Sequence, residues 1–372
     1  MKPCLPMWRL TMPEPQVGYY VHHHGAGHAT RALRIAQALR VPVTLIGSQL
    51  PEAIVPGIEL LPLPGDTAEG MQVERFDALH YAPLAVDGLR QRMAMLAQWL
   101  HAHWPCVLVV DVSVEVAVLA RLCSVPVIYV RQHGLREDAG HRLAYESASA
   151  LLAPYPAQME APATPAWVRE KTGYSGWLSR FAGTPSAMPT AGHVLVICGH
   201  GGTGLNAPLL EAVARECPEW QFRIAGDLAP GQPAANLHWL GPLADPRAQM
   251  LAAQVVVGSA SDSLVGEAAS LGCRYIAVGE ERPFDEQRQQ ARRLNELKVA
   301  LGLEHGWPEA TAWPAMLAAA CRLDPERWRH WADPAAPERA ARLIENTLDR
   351  LFRNPGAEGS ALVPPAPAPA AE

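Results

Sequence analysis

Long apolar runs are missing from this chain: no stretch reaches the roughly 18–20 residues needed to span a bilayer. The opening MKPCLPMWRLTMPEP has no continuous apolar core of the kind a signal peptide carries, and prolines interrupt it. A soluble, cytoplasmic protein is the expectation, with peripheral contact at a membrane surface still permitted. Blocks of like charge are missing too. The net charge of −6 is spread over 372 residues, 18% of them charged, so there is no basic patch to attract nucleic acid. The seven cysteines (Cys4, Cys106, Cys123, Cys198, Cys217, Cys273, Cys321) are odd in number, scattered and without a C-x-x-C, which argues against a disulfide or zinc framework. Cys106 and Cys198 sit inside apolar strand-like runs and read as small buried hydrophobes in a reducing compartment.

What the chain does have is alternation. At roughly 100–200 residues per domain its length predicts two domains. Strand-like runs at Val17–His22, Val43–Ile46, Ile58–Leu63, Val107–Val110 and Val127–Val130 alternate with helical patterns at Ala29–Leu39, Leu89–His101 and Val114–Leu122. Short, fully apolar strands separated by helices predict a parallel sheet covered on both faces. The alternation restarts with strands at Val194–Cys198, Gln221–Ala225, Leu237–Leu240, Val255–Val257 and Tyr275–Val278. Helices at Ala207–Glu216, Pro246–Ala253, Ser263–Leu271 and Glu286–Leu297 separate them. The expected division is an α/β domain over 1–157, a Pro/Ala-rich connection over 158–192 and a second α/β domain over 193–335. An amphipathic helix over 336–353 and a disordered Pro/Ala tail over 354–372 complete it. Ligands of open α/β sheets bind beyond the carboxyl ends of the strands, so a cleft between the two halves is the expected site.

Four segments can carry chemistry there. HHHGAGHATR (His22–Arg31) joins a strand to a helix; its glycines allow close approach, and the helix start offers free N–H groups to an anion. It lacks the third glycine of a dinucleotide fingerprint. His28, at the helix entrance, can take a proton from a hydroxyl or, protonated, pair with a phosphate. The three consecutive histidines alternate faces on a strand and cannot converge on one metal ion. ICGHGGTGLN (Ile197–Asn206) is a glycine turn before a helix, suited to a diphosphate. GSASDSLVGE (Gly258–Glu267) offers a polar helix start and a carboxylate further along it. EERPFDEQRQQA (Glu280–Ala291) places Asp285 and Gln287 after a proline turn. Two further segments are candidates for the acceptor side: the long loop Pro64–Leu84, and RQHGLREDAGHR (Arg131–Arg142), which offers Gln132 and His133.

In this order, these segments resemble the MurG-type family 28 glycosyltransferases. VVVGSASDSLVGEAASLGCRYIAVGEERPFDEQRQQARRL, LHWLGPLADPRAQMLAAQ and GAGHATRALRIAQAL carry the likeness, over roughly Val17–Leu39 and Val194–Leu297. The resemblance implies the GT-B fold, two Rossmann-like doubly wound domains facing a cleft, and a nucleotide-sugar donor. Carried over, Gly201, Gly202 and Thr203 line the donor diphosphate, Leu243 lies against the base, and Ser261 and Asp262 lie near the phosphates, with Gly27 of the first loop also a donor-binding residue. Glu267 holds the ribose, Asp285 and Gln287 hold the sugar, and His28 takes the place of the cleft histidine. The chain departs from the pattern at Gln290, where the family has Asn, at Glu286 in the D-x-Q triplet, and at Asp262, where a small residue is common.

The resulting expectation is an inverting transferase that moves an N-acetylhexosamine or hexose from a UDP-sugar to an acceptor hydroxyl, with His28 or Asp111 as general base. No D-x-D motif is present, and neither a metal nor another cofactor is expected. A UDP-sugar hydrolase on the same fold and a non-catalytic nucleotide-sugar-binding protein are the alternatives.

Overall fold

A computed structural model of the chain describes residues 13–22, 26–51, 55–71, 76–185, 187–199 and 202–353. The first half runs β1 (Gln16–Tyr20), α1 (Ala26–Ala38), β2 (Val43–Gly47), β3 (Ile58–Pro62), α2 (Asp87–Ala102), β4 (Cys106–Asp111), α3 (Val114–Leu122), β5 (Val127–Val130), α4 (Ala139–Ser147), β6 (Ala150–Ala153), α5 (Ala166–Lys171) and β7 (Thr172–Tyr174). The second runs β8 (Thr190–Ile197), α6 (Ala207–Glu216), β9 (Gln221–Ala225), β10 (Leu237–Gly241), α7 (Arg247–Ala252), β11 (Ala253–Ser259), α8 (Asp262–Ser270), β12 (Tyr275–Val278), α9 (Glu286–Glu296), β13 (Leu301–Leu303), α10 (Trp313–Cys321), α11 (Glu326–Arg329) and α12 (Ala336–Leu348). Every strand pair in both sheets is parallel. Central strands such as CVLVVD are buried at every position, as sheets covered by helices on both faces require.

Strand order is β3-β2-β1-β4-β5-β6-β7 in one sheet and β10-β9-β8-β11-β12-β13 in the other. The winding reverses at β1/β4 and again at β8/β11, and these switch points open a crevice at the strands' carboxyl ends. The loops that leave β1, β4, β8 and β11 therefore carry whatever the fold binds. Side chains cap helices beside them: Ser113 accepts from the Val116 N–H at 3.3 Å, and Asn206 from the Leu209 N–H at 3.0 Å.

The expected division of the chain needs correction. Residues 158–192 are not simply a connection, because they hold α5 and β7, and β7 extends the first sheet beside β6. A three-residue strand is too short to show a period, and the surrounding proline and alanine mask it. Likewise α12 is not a separate appendage. Ala340, Ile344 and Leu348 pack with Val17, Ala32 and Ile35 in the first half's core, and Glu345 accepts from Arg40 N and Nη2 at 2.7 and 3.0 Å. Gly173 is required by this docking, since a Cβ there would lie 2.0 Å from Leu343 Cδ1. The chain thus crosses between halves twice, and the crossings meet where the Trp177 N–H donates to the Trp331 carbonyl at 3.2 Å. Among the described residues no helix is long and apolar enough to cross a membrane. The tail 354–372 lies outside the described residues.

Candidate functional site

Asp111 ends β4 with no exposure at all. Its Oδ1 and Oδ2 accept from Arg31 Nη2 at 2.7 and 3.0 Å, and Oδ2 lies 3.1 Å from His28 Nδ1. Arg31 Nη2 also lies 2.9 Å from that Nδ1. The Nδ1 atom therefore faces both a carboxylate acceptor and a guanidinium donor. In the tautomer that places Nδ1–H against Asp111, Nε2 is unprotonated, the form a general base at His28 requires. Burial would raise the Asp111 carboxyl, but Arg31 and His28 outweigh it and hold it well below the usual carboxylate range. The next residue, Val112, has φ 63°, a strained conformation for a β-branched side chain; Tyr129 Oη donates to its carbonyl at 2.6 Å. His28 and Arg31 line the cleft, while Asp111 stands behind them and does not reach it.

The cleft has a volume of about 480 Å³, within the range of small-molecule sites. Gly27, at the start of α1, faces Ser263 of α8 so closely that a Cβ would sit 3.8 Å from the serine Oγ. The N-termini of both helices therefore meet across the gap. On the second half's wall lie Gly202 (φ 82°), Leu243, Ser261, Asp262, Glu267 and Gln287. Glu267 accepts from Arg180 Nε at 2.7 Å, and burial pushes its carboxyl up against the pull of that arginine. Gln287 Oε1 accepts from the Glu280 N–H at 3.2 Å. The Ser261 hydroxyl caps nothing; Ser259 Oγ donates to it at 3.2 Å.

Two donor candidates are turned elsewhere. Thr203 Oγ1 donates to Glu280 Oε1 at 2.5 Å, an oxygen that also accepts from Trp307 Nε1 at 2.7 Å, and Thr203 does not line the cleft. Asp285 has a left-handed backbone (φ 53°), and its partly exposed carboxylate pairs with Arg288 at 3.3 Å. Its neighbour Glu286 faces the cleft in its stead. Gly201 lies outside the described residues, as do His23 and His24.

The halves touch across the cleft through the loop after β5. The Leu135 N–H donates to the Phe284 carbonyl at 2.7 Å, and Arg136 Nη2 donates to Glu286 Oε2 at 3.0 Å. Gly134 (φ 113°) permits this, since a Cβ there would lie 2.5 Å from the Phe284 oxygen. Gln132 lines both this cleft and a second cavity of about 550 Å³ bordered by Tyr145, Tyr155 and Trp167, whereas the buried His133 faces Asp262. Arg31, Arg136, Arg180 and Glu286 escape a reading of the sequence, because each acts through a partner distant in the chain.

Among the described residues one group has metal-ligand spacing: His80, Asp138 and His141. Asp138 Oδ1 lies 2.7 Å from His80 Nε2, and Oδ2 lies 2.5 Å from His141 Nδ1. Arg136 Nη1 donates to His141 Nε2 at 2.9 Å. A metal on Nδ1 would require Nε2 to carry a proton that faces this donor, so the three residues fit a lock between the 77–81 loop and the start of α4, not an ion.

No family model matches the chain, and no curated protein matches it in sequence. Solved structures do. The glycotransferase of kitacinnamycin superposes with a TM-score of 0.64 at 18% identity, covering 91% of this chain and 100% of that one. Acinetobacter baumannii MurG gives 0.58 at 16%, over 90% and 100%. LpCGTa, solved in complex with UDP, gives 0.57 at 15%, over 90% and 95%. Likeness at such identity is likeness of fold: the chain has the GT-B architecture of these glycosyltransferases.

Proposed function

We propose that this chain is an inverting glycosyltransferase that moves a hexose or N-acetylhexosamine from a UDP-sugar to an acceptor hydroxyl without a metal ion. The observation that carries this reading is the Arg31–Asp111–His28 relay, placed at one switch point and facing the helix N-terminus at the other. His28 Nε2 takes the acceptor's proton as its oxygen attacks the anomeric carbon. The bond from that carbon to the diphosphate breaks, its electron pair leaves with the phosphate oxygen, and the configuration inverts. Asp111 is a positioning residue that keeps the proton on Nδ1 and stabilises the imidazolium as it forms. The departing charge falls on the Gly202 turn and on Arg282 of the cleft wall, whose Nη2 donates to the Gly202 carbonyl at 2.7 Å.

Glu267 takes the ribose hydroxyls, Leu243 the base and Gln287 a sugar hydroxyl; Gln132 and His133 lie on the acceptor side. LpCGTa, of the same fold, was solved with UDP, which supports that nucleotide here. Six described cysteines are all unpaired, which suits a reducing, cytoplasmic setting. The test is a thermal-shift screen of UDP-, GDP- and dTDP-sugars, followed by UDP release with each binder. UDP-sugars should stabilise the protein by mass action, and His28→Ala should abolish slow UDP release without lowering the melting temperature. Fast, stoichiometric release to water would identify a hydrolase instead. Binding with no turnover in either protein would identify a binding module.

A further inference from the structure

Among the described residues three carboxylates line the cleft, and arginines hold two of them: Glu267 by Arg180 and Glu286 by Arg136. Asp262, in the first turn of α8, has no such partner. Its side chain is 13% exposed, and among the described residues neither oxygen accepts a hydrogen bond. From the opposite half the buried His133 brings Nε2 to 3.5 Å from Asp262 Oδ1, and that nitrogen has no hydrogen bond either. Burial pushes the His133 pKa down despite the nearby carboxylate, so the imidazole is neutral near pH 7 and no ion pair closes the gap. Arg31 senses the Asp262 charge, but its hydrogen bonds go to Asp111 and not to Asp262. Arg31 is set against Asp111 and Arg136 against Glu286, and Arg282, which also lines the cleft, donates to the Glu281 and Gly202 carbonyls, so among the described residues no cation bonds Asp262.

A buried carboxylate with free lone pairs is unfavourable until something donates to it. A diphosphate cannot fill that role, because it would meet an uncompensated like charge; its place is toward Gly202. What fits is a group with two hydrogen-bond donors, on the part of the donor substrate that carries no charge of its own or a positive one. We infer that Asp262 and His133 form the subsite that reads the transferred sugar, through adjacent hydroxyls or an ammonium on that sugar. This moves Asp262 from the phosphates, where the family resemblance would put it, to sugar selection, and it rests on the donor reading above.

The experiment is calorimetric titration of wild type, Asp262→Asn and Asp262→Ser with UDP, UDP-glucose and UDP-glucosamine, with a melting temperature for each protein. Wild type should bind at least one UDP-sugar about tenfold or more tighter than UDP, as two charge-assisted hydrogen bonds imply. A preference for UDP-glucosamine would name the ammonium as the recognised group, and parity would name the hydroxyls. In both variants the preference should fall to within about twofold, while UDP affinity holds or rises. The inference is overturned if the variants keep the wild-type preference, if wild type shows none, or if the variants lose UDP itself at an unchanged melting temperature. Failure of wild type to bind UDP or either UDP-sugar would instead refute the donor reading, and this inference with it.

Discussion

Replacing Asp111 with asparagine separates the two jobs that this carboxylate performs. In the wild type its two oxygens lie 2.7 and 3.0 Å from Arg31 Nη2, and Oδ2 lies 3.1 Å from His28 Nδ1, with no exposure to water. Asparagine keeps the shape but has a single acceptor oxygen, and its amide nitrogen must face a donor. Arg31, itself buried, is left as an uncompensated cation, a change that costs about 3–5 kcal/mol. For a half of this size, about 2–4 °C per kcal/mol predicts a melting temperature lower by roughly 6–20 °C.

The chemistry suffers separately. Without the carboxylate nothing holds the proton on Nδ1, and loss of the general base should lower turnover about 10²–10⁴-fold at pH 7, with donor affinity little changed. The acid limb gives a further check. The folded Asp111 titrates below its unfolded value of about 3.9, so its stabilisation is fully present above pH 4 and is lost as pH falls through the lower folded value. The melting curves of wild type and variant should therefore stay apart above pH 4 and converge only below it. A folded Asp111→Asn protein with wild-type melting temperature and turnover within tenfold would refute the relay.

Glu267→Gln should weaken UDP binding about tenfold and erase the penalty that wild type pays for 2′-deoxy-UDP, both read by calorimetry. Gly134→Ala forces a Cβ to within 2.5 Å of the Phe284 oxygen at a φ of 113°, and urea unfolding should show a loss of about 1–3 kcal/mol. Burial and Arg136 together hold His141 at a pKa of about 4 although Asp138 pulls it up. Its folded pKa is below the unfolded value near 6.5, so the associated stability is present above pH 6.5 and lost as pH falls through 4. A pH series of denaturation midpoints should show about 2–3 kcal/mol lost over that window in wild type, and a flatter profile in His141→Asn.

Much of the framework can be read locally. Val114–Leu122, Val127–Val130, Ala207–Glu216, Gln221–Ala225 and Tyr275–Val278 occupy the predicted residues, because apolar runs between turn residues, or helices behind a Ser113 or Asn206 cap, announce their own ends. β7 and β13, three residues each, are set by the neighbouring strand and not by a period of their own. α4 is missed because AGHRLAYES opens on glycine and polar residues, and its start is fixed by the Asp138 cap on His141. The loops of the site were legible for the same reason as the strands: glycine turns before helix starts are local features. Their side-chain partners were not. Arg31 meets Asp111 across 80 residues and Arg136 meets Glu286 across 150, distances over which no spacing rule operates. Thr203 looked free to meet a phosphate only until Glu280 and Trp307 took its hydroxyl, and Asp285 lost its place in the cleft to a left-handed turn.

The two halves are joined by contacts of unlike kinds, and the difference bears on how a substrate enters. At the back, Trp177 and Trp328 are buried in the second half's core with their ring centres 5.9 Å apart, and α12 buries Ala340, Ile344 and Leu348 in the first half's core. Separating these surfaces would expose large apolar areas. At the front, the links among the described residues include one backbone hydrogen bond at Leu135, the Arg136–Glu286 pair, two donations from Arg293 to the Gln158 carbonyl, and the Phe284 ring, which packs on His80 and His141 and against which the Arg136 guanidinium stacks at 5.0 Å. Each front link is small and can re-form with water when it breaks. Opening must therefore begin at the front and turn about the back, at the two crossings where Trp177 meets Trp331. Asp262 and His133 lie on opposite sides of that front seam, and neither satisfies the other. A sugar that donates to both would add bonds that the empty cleft lacks, so that donor binding and closure stabilise each other.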